Sequence, residues 1–292
     1  MQNVPISEPQ LDVVADDQIA VAYACAVHPI EHLRYVARSS GVGQESLVRE
    51  TAGALLSFGH DPAGLVTSCR RMLARQPSSG PLMWLASRVL TAAYPRSEVR
   101  ACMEAIADDK TARLLSRQLP VEATACVLGW PDLIGRALRL RGDLRVLVVD
   151  VLGEGQHLVR RLSEQDGRVD DVAESGLGAA AASADAMLLE TAAVGPDGFL
   201  AVAGSRAAAA VAHAAGVPVW LTAGRGAVLP GPMWDSLIER ALGKVDAWEA
   251  DEEIVPLALV DLVAGPDGLV SVPEAVSSTD CPVVPELFCA AI

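Results

Sequence analysis

Four short stretches of this chain hold residue types that could do chemistry. Thr124-Ala125-Cys126 ends a short apolar run and places a thiol where a strand would stop. A cysteine with a lowered pKa can serve there as an acid/base, although six cysteines in so apolar a chain make packing the default reading. Gly153-Glu154-Gly155 follows the apolar run that closes at Asp150 and opens a helical pattern. Such a turn leaves backbone N–H groups free at a helix N-terminus, which suits an anion. The dinucleotide fingerprint G-x-G-x-x-G lacks its third glycine here, and Glu154 opposes a phosphate. Gly204-Ser205-Arg206 opens an alanine-rich helix, with Ser205 as the expected N-cap and Arg206 as a cation for a phosphate. Glu190 closes the run Asp185–Glu190. The five histidines pair with no carboxylate or cysteine by spacing, and no C-x-x-C occurs, so neither a metal site nor a cofactor is expected.

The elements that must position these residues fall into two blocks. Residues 1–17 are polar and acidic and are expected to be extended or disordered. From about 18 to 118 apolar residues recur at three- and four-residue steps: Leu33, Val36 and Ala37, then Leu47, Val48, Ala52, Leu55 and Leu56. Asp61-Pro62 starts another such segment, Pro77–Pro81 breaks the chain, and a last helix is expected from Ser97 to Gln118. This block reads as a helical domain.

From 119 onward short apolar strands alternate with helices. Strands are expected at Val121–Leu128, Leu144–Asp150, Arg168–Ala173, Asp185–Glu190 and Val217–Leu221, with helices at Gly155–Gln165, Leu177–Ala182 and Ser205–Ala215. That alternation predicts an α/β fold: the helical domain followed by a Rossmann-like, doubly wound parallel sheet over 119–292. Ligands in such sheets sit beyond the carboxyl ends of the strands. The acidic run Asp251-Glu252-Glu253 and the stretch Asp108-Asp109-Lys110 read as solvated faces, and Pro256–Val263 as a final strand-like excursion.

Composition excludes several classes. Among 292 residues, 23 are Lys or Arg and 37 are Asp or Glu, for a net charge of −14. A chain this acidic is a poor partner for nucleic acid or anionic membranes. At 51 % hydrophobic residues it is no disordered chain, and no run is long and apolar enough to span a membrane. Without a cationic leader, the cysteines read as reduced, buried thiols of a cytoplasmic protein.

With these residues in place, the chain resembles the family that unites the alpha, beta and delta subunits of initiation factor 2B with methylthioribose-1-phosphate and ribose-1,5-bisphosphate isomerases. The likeness runs from Arg34-Tyr35-Val36 to the tail and is most specific over 185–223. It implies a cysteine in a T-x-C-N-x-G segment and an aspartate in G-A-D as the isomerase pair, and an N-K pair for the phosphate. Here Cys126 and Gly129 remain, but Val127 replaces the asparagine and Ala192 falls on the aspartate. The N-K pair falls near Ala201-Val202-Ala203, and Glu154 stands near the family's glutamine. Aldose–ketose isomerisation needs a positioned acid/base, and a dianionic phosphate needs a cation. The resemblance therefore implies a binding or assembly protein that has lost isomerase chemistry. It also implies a homodimer, with the apolar tail and the VPVWL strand as the expected buried surface. The alternative is an enzyme using Cys126 and Glu190 on a modified small substrate, with Gly153, Gly155, Gly204, Ser205 and Arg206 as ligand contacts. A nucleotide-binding oxidoreductase rests on fold analogy alone.

Overall fold

The computed structural model describes residues 43–57, 61–164, 167–243 and 245–288. The expected N-terminal extension 1–17, the pattern at Leu33–Ala37, the stretch Arg34-Tyr35-Val36, and Cys25, Cys289, His28, His32 and His60 lie outside them.

Four helices open the described chain: α1 Gln44–Leu56, α2 Pro62–Arg75, α3 Gly80–Thr91 and α4 Pro95–Ala107. Their starts follow local chemistry. Asp61 accepts a hydrogen bond from the Gly64 N–H at 3.0 Å with Pro62 in the first turn, and Ser79 receives the Leu82 N–H at 3.3 Å. Trp84, Leu85, Val48 and Cys102 form the centre of their shared core. The single helix expected over 97–118 is two. Chain and helix break at Asp108-Asp109-Lys110, and α5 runs from Thr111 to Gln118. The cause is Asp109, one of whose oxygens accepts the Thr111 N–H at 2.8 Å while the other accepts the Arg225 N–H at 2.8 Å. That stretch is therefore a tie point rather than a solvated face.

The α/β part is built as β1 Thr124–Leu128, α6 Asp132–Leu138, β2 Arg145–Asp150, α7 Gly155–Ser163, β3 Arg168–Ala173, α8 Leu177–Ser183 and β4 Ala186–Thr191. It continues with β5 Ala193–Val194, β6 Gly198–Val202, α9 Ser205–Ala214, β7 Val219–Ala223, α10 Gly231–Leu242, β8 Glu252–Pro256, β9 Leu262–Gly265, β10 Gly268–Ser271 and α11 Val272–Ser277. The main sheet has the order β3-β2-β1-β4-β7-β9-β10, parallel except for the last hairpin. This is the expected Rossmann-like winding. The chain steps outward from β1 to β3, then crosses back to β4, so a switch point opens between the carboxyl ends of β1 and β4.

Alternation along each strand divides the core. Ala125, Val127, Val148 and Leu188 pack with α5, α6 and α7, whereas Cys126, Val149, Met187 and Leu221 pack with α8, α9 and α11. Three strands expected as one excursion or not at all, β5, β6 and β8, form a separate antiparallel sheet. The surface expected for a dimer is used within the chain: every residue of β7 is buried between β4 and β9, and Cys281, Val284 and Leu287 pack into the helical core. Asp280 fastens that tail by accepting from Trp84 Nε1 at 2.8 Å and from Arg88 at 2.6 Å.

Candidate functional site

The carboxyl edge of the main sheet gathers most of the candidate residues, but not onto one side. Cys126 sits in the middle of β1 beside Met187 of β4 and faces the α8–α9 layer. It is 0 % exposed, and burial pushes its thiol up to about 12. Glu190 lies three positions beyond Met187 and therefore on the other face, where it meets α6. One Glu190 oxygen accepts the Asp132 N–H at 2.9 Å and the other the Ile134 N–H at 2.8 Å. Pro131, at the cap position of α6, supplies no side-chain acceptor, so Glu190 closes this helix from the neighbouring strand. Burial pushes its carboxyl up to about 7, outweighing the backbone N–H groups that favour the charged form, with Asp132 adding repulsion. Thr222 stands beside Glu190 in register, its hydroxyl buried and without a partner among the described residues.

The glycine turn after β2 is closed in the same manner. The Gly155 N–H donates to Asp150 at 2.7 Å, and a Cβ on Gly155 would lie 2.9 Å from the Asp150 Cα, so helix and strand approach too closely for any other residue. Gly153 is exposed, and Leu152 before it holds a positive φ of 56°.

Gly204, not Ser205, occupies the cap position of α9, in the left-handed region at φ 91°. Ser205 is the first helical residue, buried and making no capping bond, and Gly204 before it takes a backbone conformation that favours glycine. The Arg206 side chain is exposed, and its backbone N–H donates to Glu253 at 3.0 Å. The acidic run is thus not a free face either: Glu253 closes α9, and Glu252, whose carboxyl burial pushes upward, accepts from the Ser78 hydroxyl. At Ala192 the backbone carbonyl accepts the Gly80 N–H at 3.0 Å, which packs the start of α3 against the end of β4.

A shared pattern emerges that the sequence reading missed. The N-termini of α6, α7 and α9, which would each welcome an anion, already hold the chain's own Glu190, Asp150 and Glu253. The signal was present as acidic residues closing two strand patterns and as the acidic run, without the tertiary distance needed to read it. Among the described residues no group of three or more His, Cys, Asp or Glu could hold a metal ion, and no helix is long and apolar enough to cross a membrane. The four described cysteines are free and buried.

No protein-family model and no curated protein matches this sequence. Solved structures do. The translation initiation factor eIF-2B of Pyrococcus horikoshii OT3 superimposes with a TM-score of 0.72 at 15 % identity, over 85 % of this chain and 98 % of that one. eIF2B beta from Chaetomium thermophilum gives 0.69 at 17 % identity, over 88 % and 92 %. A chain of the tetrameric eIF2B-beta2-delta2 complex from C. thermophilum gives 0.68 at 16 %, over 92 % and 98 %. The chain has the fold of initiation factor 2B subunits, as the resemblance in its sequence implies.

Proposed function

We propose that this protein is an initiation-factor-2B-like assembly or ligand-binding subunit of the cytoplasm that works without isomerase chemistry, as a homodimer or within a larger complex. The observation that carries the reading is the internal closure of the N-termini of α6, α7 and α9 by Glu190, Asp150 and Glu253. A sugar phosphate entering there would have to displace a carboxylate that is already well bonded and would then face its charge. Like charges at such distances repel by about 1 kcal/mol even in water, and by more at a partly buried site. The loss of the aspartate at Ala192 and of a lysine near Ala201–Ala203 removes the proton shuttle and the cation as well.

A second reading, an enzyme working through Cys126 and Glu190, has one observation in its favour: a carboxyl held at about 7 suits acid/base work at neutral pH. Against it, the two side chains leave opposite faces of the sheet and cannot meet one substrate, and a thiol at about 12 is not a ready thiolate. Incubating purified protein with methylthioribose 1-phosphate and following the ketose product separates the two. No turnover above buffer is expected, together with a dimer by light scattering. Turnover that disappears in Cys126→Ser would overturn the proposal.

A further inference from the structure

A second cleft lies on the same edge of the sheet, at the ends of β7 and β9 rather than at the switch point. Its volume is about 180 Å³, room for a molecule of a few heavy atoms, and its walls are the loop 223–228, the β9–β10 hairpin, the end of α11 and residues 278–280. Arg225 lines it. Its Nε is buried and has no hydrogen-bond partner among the described residues, while the side chain as a whole is half-buried. A buried guanidinium N–H left unmade is costly, and in a chain of net charge −14 carboxylates are in ample supply to satisfy it.

Three carboxylates line the same cleft, yet none reaches that guanidinium. Asp280 is committed to Trp84 and Arg88. Asp267 and Glu274 are exposed, and their carboxylates make no ion pair or hydrogen bond among the described residues. The cleft is therefore bipolar, lined by one cation and by carboxylates that form no ion pair with it among the described residues. A simple phosphate would meet Asp267 and Glu274, and a simple cation would meet Arg225. These carboxylates do not converge into a metal site, since no such cluster exists among the described residues.

We propose that this cleft binds a small zwitterion of the α-amino-acid class, its carboxylate on Arg225 and its ammonium toward Asp267 and Glu274. Guanidinium–carboxylate pairing is strong and directional when one partner is desolvated, and the acidic rim selects for the amine. The residues invoked here are not those that close α6, α7 and α9, so this inference does not rest on the switch-point reading.

The test is thermal melting and calorimetry of the full chain against each of the twenty amino acids at millimolar concentration. At least one is expected to raise the melting temperature, while its N-acetyl and amide forms, each missing one charge, bind at least about tenfold more weakly. Arg225→Met should abolish binding. Asp267→Asn with Glu274→Gln, both at exposed positions, should weaken it while leaving the melting temperature of the free protein unchanged, which keeps the test valid should Arg225→Met fold poorly. The proposal is overturned if no amino acid shifts the melt, if acetate or inorganic phosphate binds as well as the best amino acid, or if the rim variant binds normally. Any of these outcomes leaves the switch-point reading untouched, because that reading is tested by sugar-phosphate turnover.

Discussion

At the starts of α6, α7 and α9 each helix N-terminus is matched by a carboxylate from a neighbouring element, whereas at the ends of β7 and β9 the Arg225 Nε is buried without a partner among the described residues. Both places lie on the edge where doubly wound sheets hold ligands. The difference is one of satisfaction: polar groups at the first place are matched within the chain, and the Arg225 Nε at the second is not. Glu190 does for α6 what a bound anion does for such a helix elsewhere, and it does so permanently.

Breaking the closed side should cost stability in proportion to what each carboxylate holds. Glu190→Ala leaves two N–H groups at the start of α6 without acceptors and should destabilise by about 2–3 kcal/mol in urea titration near pH 6. The pH dependence has a definite sign. Glu190 is raised from 4.5 to about 7, so the folded state holds its proton more tightly than the unfolded chain. Its contribution to stability is complete below 4.5 and is lost as pH rises through about 7. The native urea midpoint, measured against that of Glu190→Gln, should therefore fall across this window, and equal slopes in the two proteins would refute the assignment. Cys126→Ala removes a sulfur from a fully buried position and should cost about 1–2 kcal/mol without changing any ligand response. The same thiol should react with a maleimide near neutral pH orders of magnitude more slowly than in the unfolded chain. Glu253→Ala should cost only about 1 kcal/mol, yet free the α9 N-terminus, so that inorganic phosphate protects the variant from thermal unfolding and not the parent. The smallest effect belongs to Leu152, exposed and in the left-handed region at φ 56°, where Leu152→Gly should be stabilising by about 1 kcal/mol by the same urea measurement.

Legibility in the sequence followed the range of the interactions. Period and punctuation were enough for β1 to β4, β7 and the helices α7, α8 and α9, because their apolar runs are local, but they did not mark α6 between β1 and β2. They were not enough for α4 and α5, where a single Asp109 at the break reaches across to the Arg225 N–H. Nor did they find β6, whose residues pair with β8, some fifty positions later in the chain, to build a second sheet. Glu190 lies near the end of β4 and Cys126 in the middle of β1, and the side each faces depends on register. Cys126 pairs with Met187, so Glu190 falls on the opposite face, and no spacing rule within one strand reveals that. The helix-closing role of Glu190 and Glu253 needed partners 56 and 47 residues away.

The most direct test of the self-filled crevice is calorimetric titration of the intact protein with ribose 5-phosphate at neutral pH and low salt. The account predicts no saturable heat, because Glu190, Asp150 and Glu253 already accept from the N–H groups at the starts of α6, α7 and α9 that would otherwise be open to an anion. Saturable binding at one molecule per chain that survives Arg225→Met would contradict it.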